Sequence, residues 1–147
     1  MGDVRRRAAG AGHRRTRGQP GHLAVTTAPA RTTGARSEEL ALAHLQQAGL
    51  TLLARNVRYR HGELDLVMLD GQTVVFVEVR YRRGGRFGDG IDSVGAHKRQ
   101  RLQRAAASYL ASEPRLAQRA CRFDVIALAG SPEQPRFDWL RNAFDAC

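Results

Sequence analysis

The spacing of apolar and polar residues changes several times along the chain, and each change marks an element. Residues 61–80, HGELDLVMLDGQTVVFVEVR, hold two nearly continuous apolar runs, 64–69 and 73–79, divided by Asp70-Gly71. Runs of this length, the second rich in β-branched residues, on either side of a strong turn dipeptide predict a β-hairpin. Both runs are apolar on both faces, so the hairpin belongs in the middle of a sheet that is covered on each side. Residues 37–48 repeat with a helical period: Ser37 suits the N-cap, Glu38 and Glu39 the first turn, and Leu40, Ala41, Ala43, Leu45 and Ala48 the apolar positions. Gly49 is a helix stop. Residues 50–59 read as an extended strand with Arg55, Arg58 and Arg60 projecting. A second helix is expected over 93–112, with Val94, Leu102, Ala105, Ala106, Tyr109 and Leu110 as its inward stripe and Pro114 past its end. Strands at 122–128 and 136–140, separated by the turn-rich AGSPEQP, close the chain.

Charge divides the chain differently. Over 147 residues the formal net charge is +10, which calls for a polyanionic partner such as nucleic acid ahead of an anionic membrane surface. Residues 1–33 contribute seven arginines against the single acid Asp3, with no apolar period. Such a segment cannot bury enough surface to offset its ordering entropy, and it reads as a disordered basic arm. The arm either adds non-specific phosphate contacts or is an extension without consequence, one explanation being a start codon assigned too early. The Gly and Pro content argues against a transit-peptide helix, and no apolar core follows the arginines as a secretory signal would require. Residues 34–147 then form one domain, without internal repeats. No apolar run is long enough to span a bilayer. Cys121 and Cys147 lack metal-site or disulfide-framework spacing, which fits a reducing cytoplasm. Lys98 is the chain's one lysine among 24 basic residues, so arginine in place of lysine at any given position is unsurprising.

Three charged residues interrupt the apolar hairpin: Asp65, Glu78 and Arg80. Alternation puts Glu78 and Arg80 on one face. A two-residue turn at Asp70-Gly71 would pair Asp65 with Phe76 and set Glu78 diagonally beside Asp65, an arrangement kept by a register slip of two. Two carboxylates gathered in an apolar sheet repel each other, and each is costly to desolvate. A hard divalent cation resolves both problems; so does pairing with Arg80 and neighbouring arginines at a sheet edge. The spacing leaves both readings open. Past Arg80, the segment YRRGGRFGDG lacks a phosphate-loop signature and reads as flexible. There Tyr81, Arg82, Arg83, Arg86 and Phe87 suit contacts to a nucleic-acid backbone or a base, or simple solvation. Lys98 lies one turn before Leu102 at the edge of the second helix's stripe, with Arg101 at i+3.

Taken together, GARSEELALAHL (34–45), Ala54-Arg55-Asn56, GELDL (62–66), VFVEV (75–79), the Val94/Lys98/Arg101 series, Tyr109-Leu110, RFDV (122–125) and Asn142-Ala143-Phe144 resemble the YraN family of small bacterial proteins. That family is related to restriction-endonuclease-like nucleases of the PD-(D/E)XK type and is similar to archaeal Holliday-junction resolvases. The most specific part is GELDL followed, thirteen residues after Asp65, by Glu78 in an apolar strand. The resemblance implies an α/β fold with an αβββαβ core, a central mixed sheet flanked by helices. It also implies Asp65 and Glu78 as metal-binding acids, the Val79 carbonyl as a further metal contact, and Glu38 as a helical glutamate near the site. The implied cofactor is Mg²⁺, with Mn²⁺ as substitute, and the implied partner is DNA, including branched DNA.

One position departs from the family's motif: Arg80 stands where a lysine orients or activates the attacking water. Arginine keeps the charge but stays protonated and cannot act as a base. Lys98 is the residue able to supply an ammonium from the helix. The activity implied is metal-assisted hydrolysis of DNA phosphodiester bonds, structure-selective or non-specific, with Asp65, Glu78, Arg80, Glu38 and Lys98 as its catalytic set and Arg82, Arg83, Arg86, Lys98 and Arg101 holding the nucleic acid. The alternatives are a nuclease fold kept as a DNA-binding module and, with least support, an assembly protein. Relatives of the resolvase type imply a homodimer, although no stripe of this sequence marks its surface.

Overall fold

The structure, a computed structural model, describes residues 33–82 and 94–145. Helix α1 (Thr33–Gln47) leads into three antiparallel strands, β1 (Thr51–Tyr59), β2 (Gly62–Asp70) and β3 (Thr73–Tyr81). Helix α2 (Ala96–Ala111) and a single 3-10 turn (Pro114–Leu116) then bring the chain to β4 (Cys121–Ser131), which runs parallel to β3, and β5 (Gln134–Phe144) turns back against β4. The sheet order is β1-β2-β3-β4-β5, so the expected central hairpin does occupy the middle of a mixed sheet.

Alternation along β3 distributes the core. Val74 and Phe76 pack with Leu102, Ala105, Ala106 and Tyr109 of α2, and Val75 and Val77 pack with Ala41, Leu42 and Leu45 of α1. Each face is therefore filled by one helix, and both hairpin runs are apolar on both sides because both sides are covered. On the α2 side Phe76, Phe123, Phe144 and Tyr109 form the aromatic centre of the core. Continuing the same alternation, Glu78 points to the α2 face.

Several boundaries differ from the expectation. Helix α1 begins at Thr33, ahead of Ser37, and Ser37 is buried within it rather than capping it. The spacing 37, 41, 45 makes Ser37 the first member of the inward stripe, whereas Ala43 and Ala48 are exposed. The hairpin pairs Asp70 with Thr73, so Gly71 and Gln72 form the turn. Gly71 has φ +65°, and Gln72 has no positive φ, the II′ pattern that needs glycine only at its first central position. The second helix starts at Ala96 with Gly95 as N-cap, leaving Val94 buried ahead of it; Ser93 lies outside the described residues.

The segment AGSPEQP largely joins the strands, because Ser131 pairs with Gln134 and leaves a two-residue turn. Pro135 is tolerated there since β5 is an edge strand. Cys121, expected as a free thiol, is disulfide-bonded; Cys147, the sequence's other cysteine, lies outside the described residues, as do residues 1–32 of the basic arm. Among the described residues no helix is long and apolar enough to cross a membrane.

A buried charge clamps the sheet where β4 and β5 change register. Asp124 is 0% exposed. It accepts hydrogen bonds from Arg122 Nε (2.9 Å) and Nη2 (3.1 Å), from Trp139 Nε1 (2.9 Å) and from the Asn142 backbone N–H (2.9 Å). Asn142 has φ +53° and lies in the bulge between the Phe123 and Val125 pairings, so the carboxylate replaces the ladder partner that the bulge removes. Arg122 Nη2 also reaches Asp70 Oδ2 at 3.1 Å, tying this clamp to the hairpin turn. Asp124→Ala is expected to cost about 2–4 kcal/mol, since it removes the acceptor shared by the partly buried Arg122 guanidinium, the Trp139 indole N–H and the Asn142 backbone N–H. Urea denaturation of the two proteins would show this as a large fall in midpoint.

Candidate functional site

Past the Leu66–Val77 pair the antiparallel register of β2 and β3 runs out, and one step further it places Asp65 opposite Glu78. There a side chain takes over from the ladder: Asp65 Oδ2 accepts the Val79 N–H at 2.9 Å. The N–H of Val74 goes to the Ala120 carbonyl just ahead of β4 and that of Arg82 to the Leu128 carbonyl in β4, so even positions of β3 serve β4 and odd ones face β2. Because the N–H and C=O of one strand residue point to the same neighbour, the Val79 carbonyl lies on the Asp65 side of β3. Glu78 is 8% exposed, and Lys98 Nζ in the first turn of α2 lies 3.0 Å from its Oε2.

Gly62 sets how closely α2 approaches. A Cβ at this position would stand 2.8 Å from the Arg101 carbonyl oxygen, so the glycine of GELDL allows the helix to carry Lys98 over the acids. Asp65, Glu78, Lys98 and Arg101 line one cavity of about 700 Å³. The opposite wall comes from Arg58, Tyr59, Arg60 and His61 at the end of β1 and the turn after it, with Arg104 completing the α2 side.

Burial raises the Asp65 pKa first, and the Glu78 charge raises it further, against the opposing hydrogen bond from Val79, to about 8. The charges of Glu38 and Glu63 add smaller increments. Asp65 thus binds its proton more tightly than an exposed carboxyl does, burial being the larger cause and the Glu78 charge the next. The donor set fits a hard divalent ion, with two carboxylates on one face and a carbonyl on the same side; Mg²⁺ takes its remaining positions from water and phosphate oxygens.

The other expected site residues are more dispersed. Glu38 projects from α1, the helix on the opposite face, where Arg55 and a hydrogen bond from Asn56 lower its pKa and burial raises it more. Glu38 senses the Glu78 charge, but no three metal-ligating side chains converge among the described residues. Arg80 follows Glu78 on the same face, half-buried, and is not among the cavity's lining residues. Arg82 is half-buried too, its backbone N–H on the Leu128 carbonyl and its Nε without a hydrogen-bond partner among the described residues. Arg83, Arg86 and Phe87 lie outside the described residues. Tyr59, His61 and Arg104 join the cavity lining without being expected there, and Asp124 is a buried structural carboxylate apart from it. The available signal for the first two was their i, i+2 spacing, which puts them on one side of the chain; their meeting with α2 has no local signature.

This arrangement, a helix before three antiparallel strands, a second helix crossing to a parallel fourth, and acids at the open end of the central hairpin, is the restriction-endonuclease-like α/β core. Within that class, the chain belongs to the family described as "Uncharacterised protein family UPF0102", whose model matches residues 37–128; this is the YraN family. It is 54% identical over 118 residues to a UPF0102 protein of Pseudomonas aeruginosa (strain LESB58), covering 79% of this chain and 94% of that one. To a UPF0102 protein of Xanthomonas campestris pv. campestris (strain B100) it is 55% identical over 111 residues, 76% of this chain and 89% of the relative.

Folding raises the Asp65 pKa above its ordinary 3.8, so the folded chain binds this proton more tightly than the unfolded one. Stability in metal-free buffer should therefore fall as pH rises from about 4 to about 8. Asp65→Asn should flatten that slope and raise the melting temperature at pH 8, as thermal denaturation across the range in EDTA would show. Gly62→Ala should push α2 off the hairpin and cost about 1–3 kcal/mol, measurable by urea denaturation.

Proposed function

We propose that this protein is a metal-dependent endonuclease hydrolysing DNA phosphodiester bonds, structure-selective or non-specific. The observation that carries the reading is the Asp65–Glu78 pair, opposed at the end of a buried hairpin and facing a cavity lined with cations. Asp65, Glu78 and the Val79 carbonyl would hold Mg²⁺ or Mn²⁺, which when bound lowers the pKa of a water and offsets charge on the phosphate. The Val79 N–H orients Asp65 by holding one of its oxygens. Lys98 neutralises Glu78 until the site is loaded; its ammonium then stands beside the acids, the position from which it can offset charge on a scissile phosphate. Arg80 keeps a positive charge on the same face but transfers no proton. Glu38 would join the ligand set only by giving up Arg55 and Asn56. Arg101, on the cavity wall, binds backbone phosphate.

The arginine at position 80 and the Lys98–Glu78 ion pair favour a second reading, in which the fold binds DNA without cutting it. The two part in one experiment: end-labelled four-way junction, linear duplex and single strand, incubated with the full chain in Mg²⁺ and in Mn²⁺. Metal-dependent cuts are expected, reduced about a hundredfold or more by Asp65→Ala and by Lys98→Ala, and retained by Arg80→Lys. Salt-sensitive binding without cuts, unchanged in Asp65→Ala, would establish the second reading instead.

A further inference from the structure

The cavity has a second wall that the acid pair does not use. Tyr59 ends β1, and His61 lies in the turn joining it to β2. Their rings are parallel within 5°, with centroids 5.6 Å apart, and both half-buried side chains line the cavity. Helix α2 backs this wall: Ser108 Oγ lies 3.3 Å from His61 Nε2. Ring faces held this way beside a site for phosphate suit a nucleobase, whose stacking is strong and tolerant of sequence.

The charges around the rings match the rest of a nucleotide. Arg58, Arg60, Arg101 and Arg104 line the same cavity. Among the described residues one carboxylate lies within 4 Å of any of them, the exposed Glu63, at 3.9 Å from Arg58. The guanidinium groups are thus available to phosphate oxygens, which they fit better than an ammonium does. A base inside a duplex has its faces covered by its neighbours and cannot reach such a wall, whereas an unpaired or extruded one can. A volume of about 700 Å³ falls in the range that encloses a single small ligand.

We propose that Tyr59 and His61, ringed by Arg58, Arg60, Arg101 and Arg104, form a subsite for one unpaired nucleotide, with the base on the rings and its phosphates on the arginines. The proposal rests on the reading of Asp65 and Glu78 as facing a phosphodiester, and it narrows the substrate to a polynucleotide strand left unpaired at the cut. Continuous duplex would be the poorer substrate.

The test is binding without catalysis. The full chain in EDTA, at one ionic strength, is titrated against a short single DNA strand, the RNA strand of the same sequence, and the corresponding blunt duplex. Each carries a fluorescent purine analogue whose emission is quenched by stacking. The expected result is quenching with single strands and affinity about tenfold or more above that for duplex. The two single strands reveal which sugar the subsite takes. Tyr59→Leu and His61→Leu should each weaken single-strand binding about tenfold while leaving duplex binding unchanged, and Tyr59→Phe should retain it. Arg104→Gln, at an exposed position, should lower the salt dependence of binding by about one phosphate contact. Equal affinity for duplex and single strand, or ring variants that bind single strands undiminished, would overturn the subsite. Because no metal is present, absence of cleavage would leave this result standing, and cleavage without single-strand preference would remove the subsite alone.

Discussion

Two carboxylates opposed at the open end of a buried hairpin repel each other, and the surrounding structure is arranged about that repulsion. Asp65 and Glu78 share the α2 face where the β2–β3 register ends. Burial and mutual charge raise the Asp65 pKa to about 8. The protein answers the charge with one backbone N–H, from Val79, and one ammonium, from Lys98. These two contacts offset part of the cost of burying the pair.

Holding such a pair requires a stiff frame. The sheet's middle strands are covered on both faces, and the β4–β5 bulge is locked by a carboxylate with four hydrogen bonds. Arg122 connects that lock to Asp70, beside the turn at the other end of the hairpin from the acids. Gly62 then lets α2 approach the beginning of β2 through backbone contact. Small changes in that contact would move Lys98 and Arg101 together, since both lie within two turns of one helix.

Arginine at position 80 gains its meaning from this geometry. In the motif the strand supplies the cation; here the helix places one on Glu78 directly, and Arg80 stays on the strand outside the cavity lining. The chain's single lysine thus stands at a position where a compact ammonium, rather than a broad guanidinium, reaches a nearly buried carboxylate.

The hairpin, its central place, both helices, the α/β class and the candidate acids were legible in the amino-acid order, because apolar period and turn chemistry are local properties. The common face of Asp65 and Glu78 was legible as well, since alternation survives a register slip of two. The turn residues themselves were decided by backbone geometry: Gly71 takes the positive φ alone, which moves the pairing to Asp70–Thr73 and sets the acids directly opposite. Ser37 looked like a cap because its chemistry suits one; packing against the sheet made it core. The Lys98–Glu78 ion pair and the contact of His61 with Ser108 join α2 to the hairpin end, and Asp124 reaches Trp139 and Asn142 across the β4–β5 bulge. No local pattern encodes these contacts: the first two exist only once α2 has folded back over the sheet, and the last only once β5 has paired with β4.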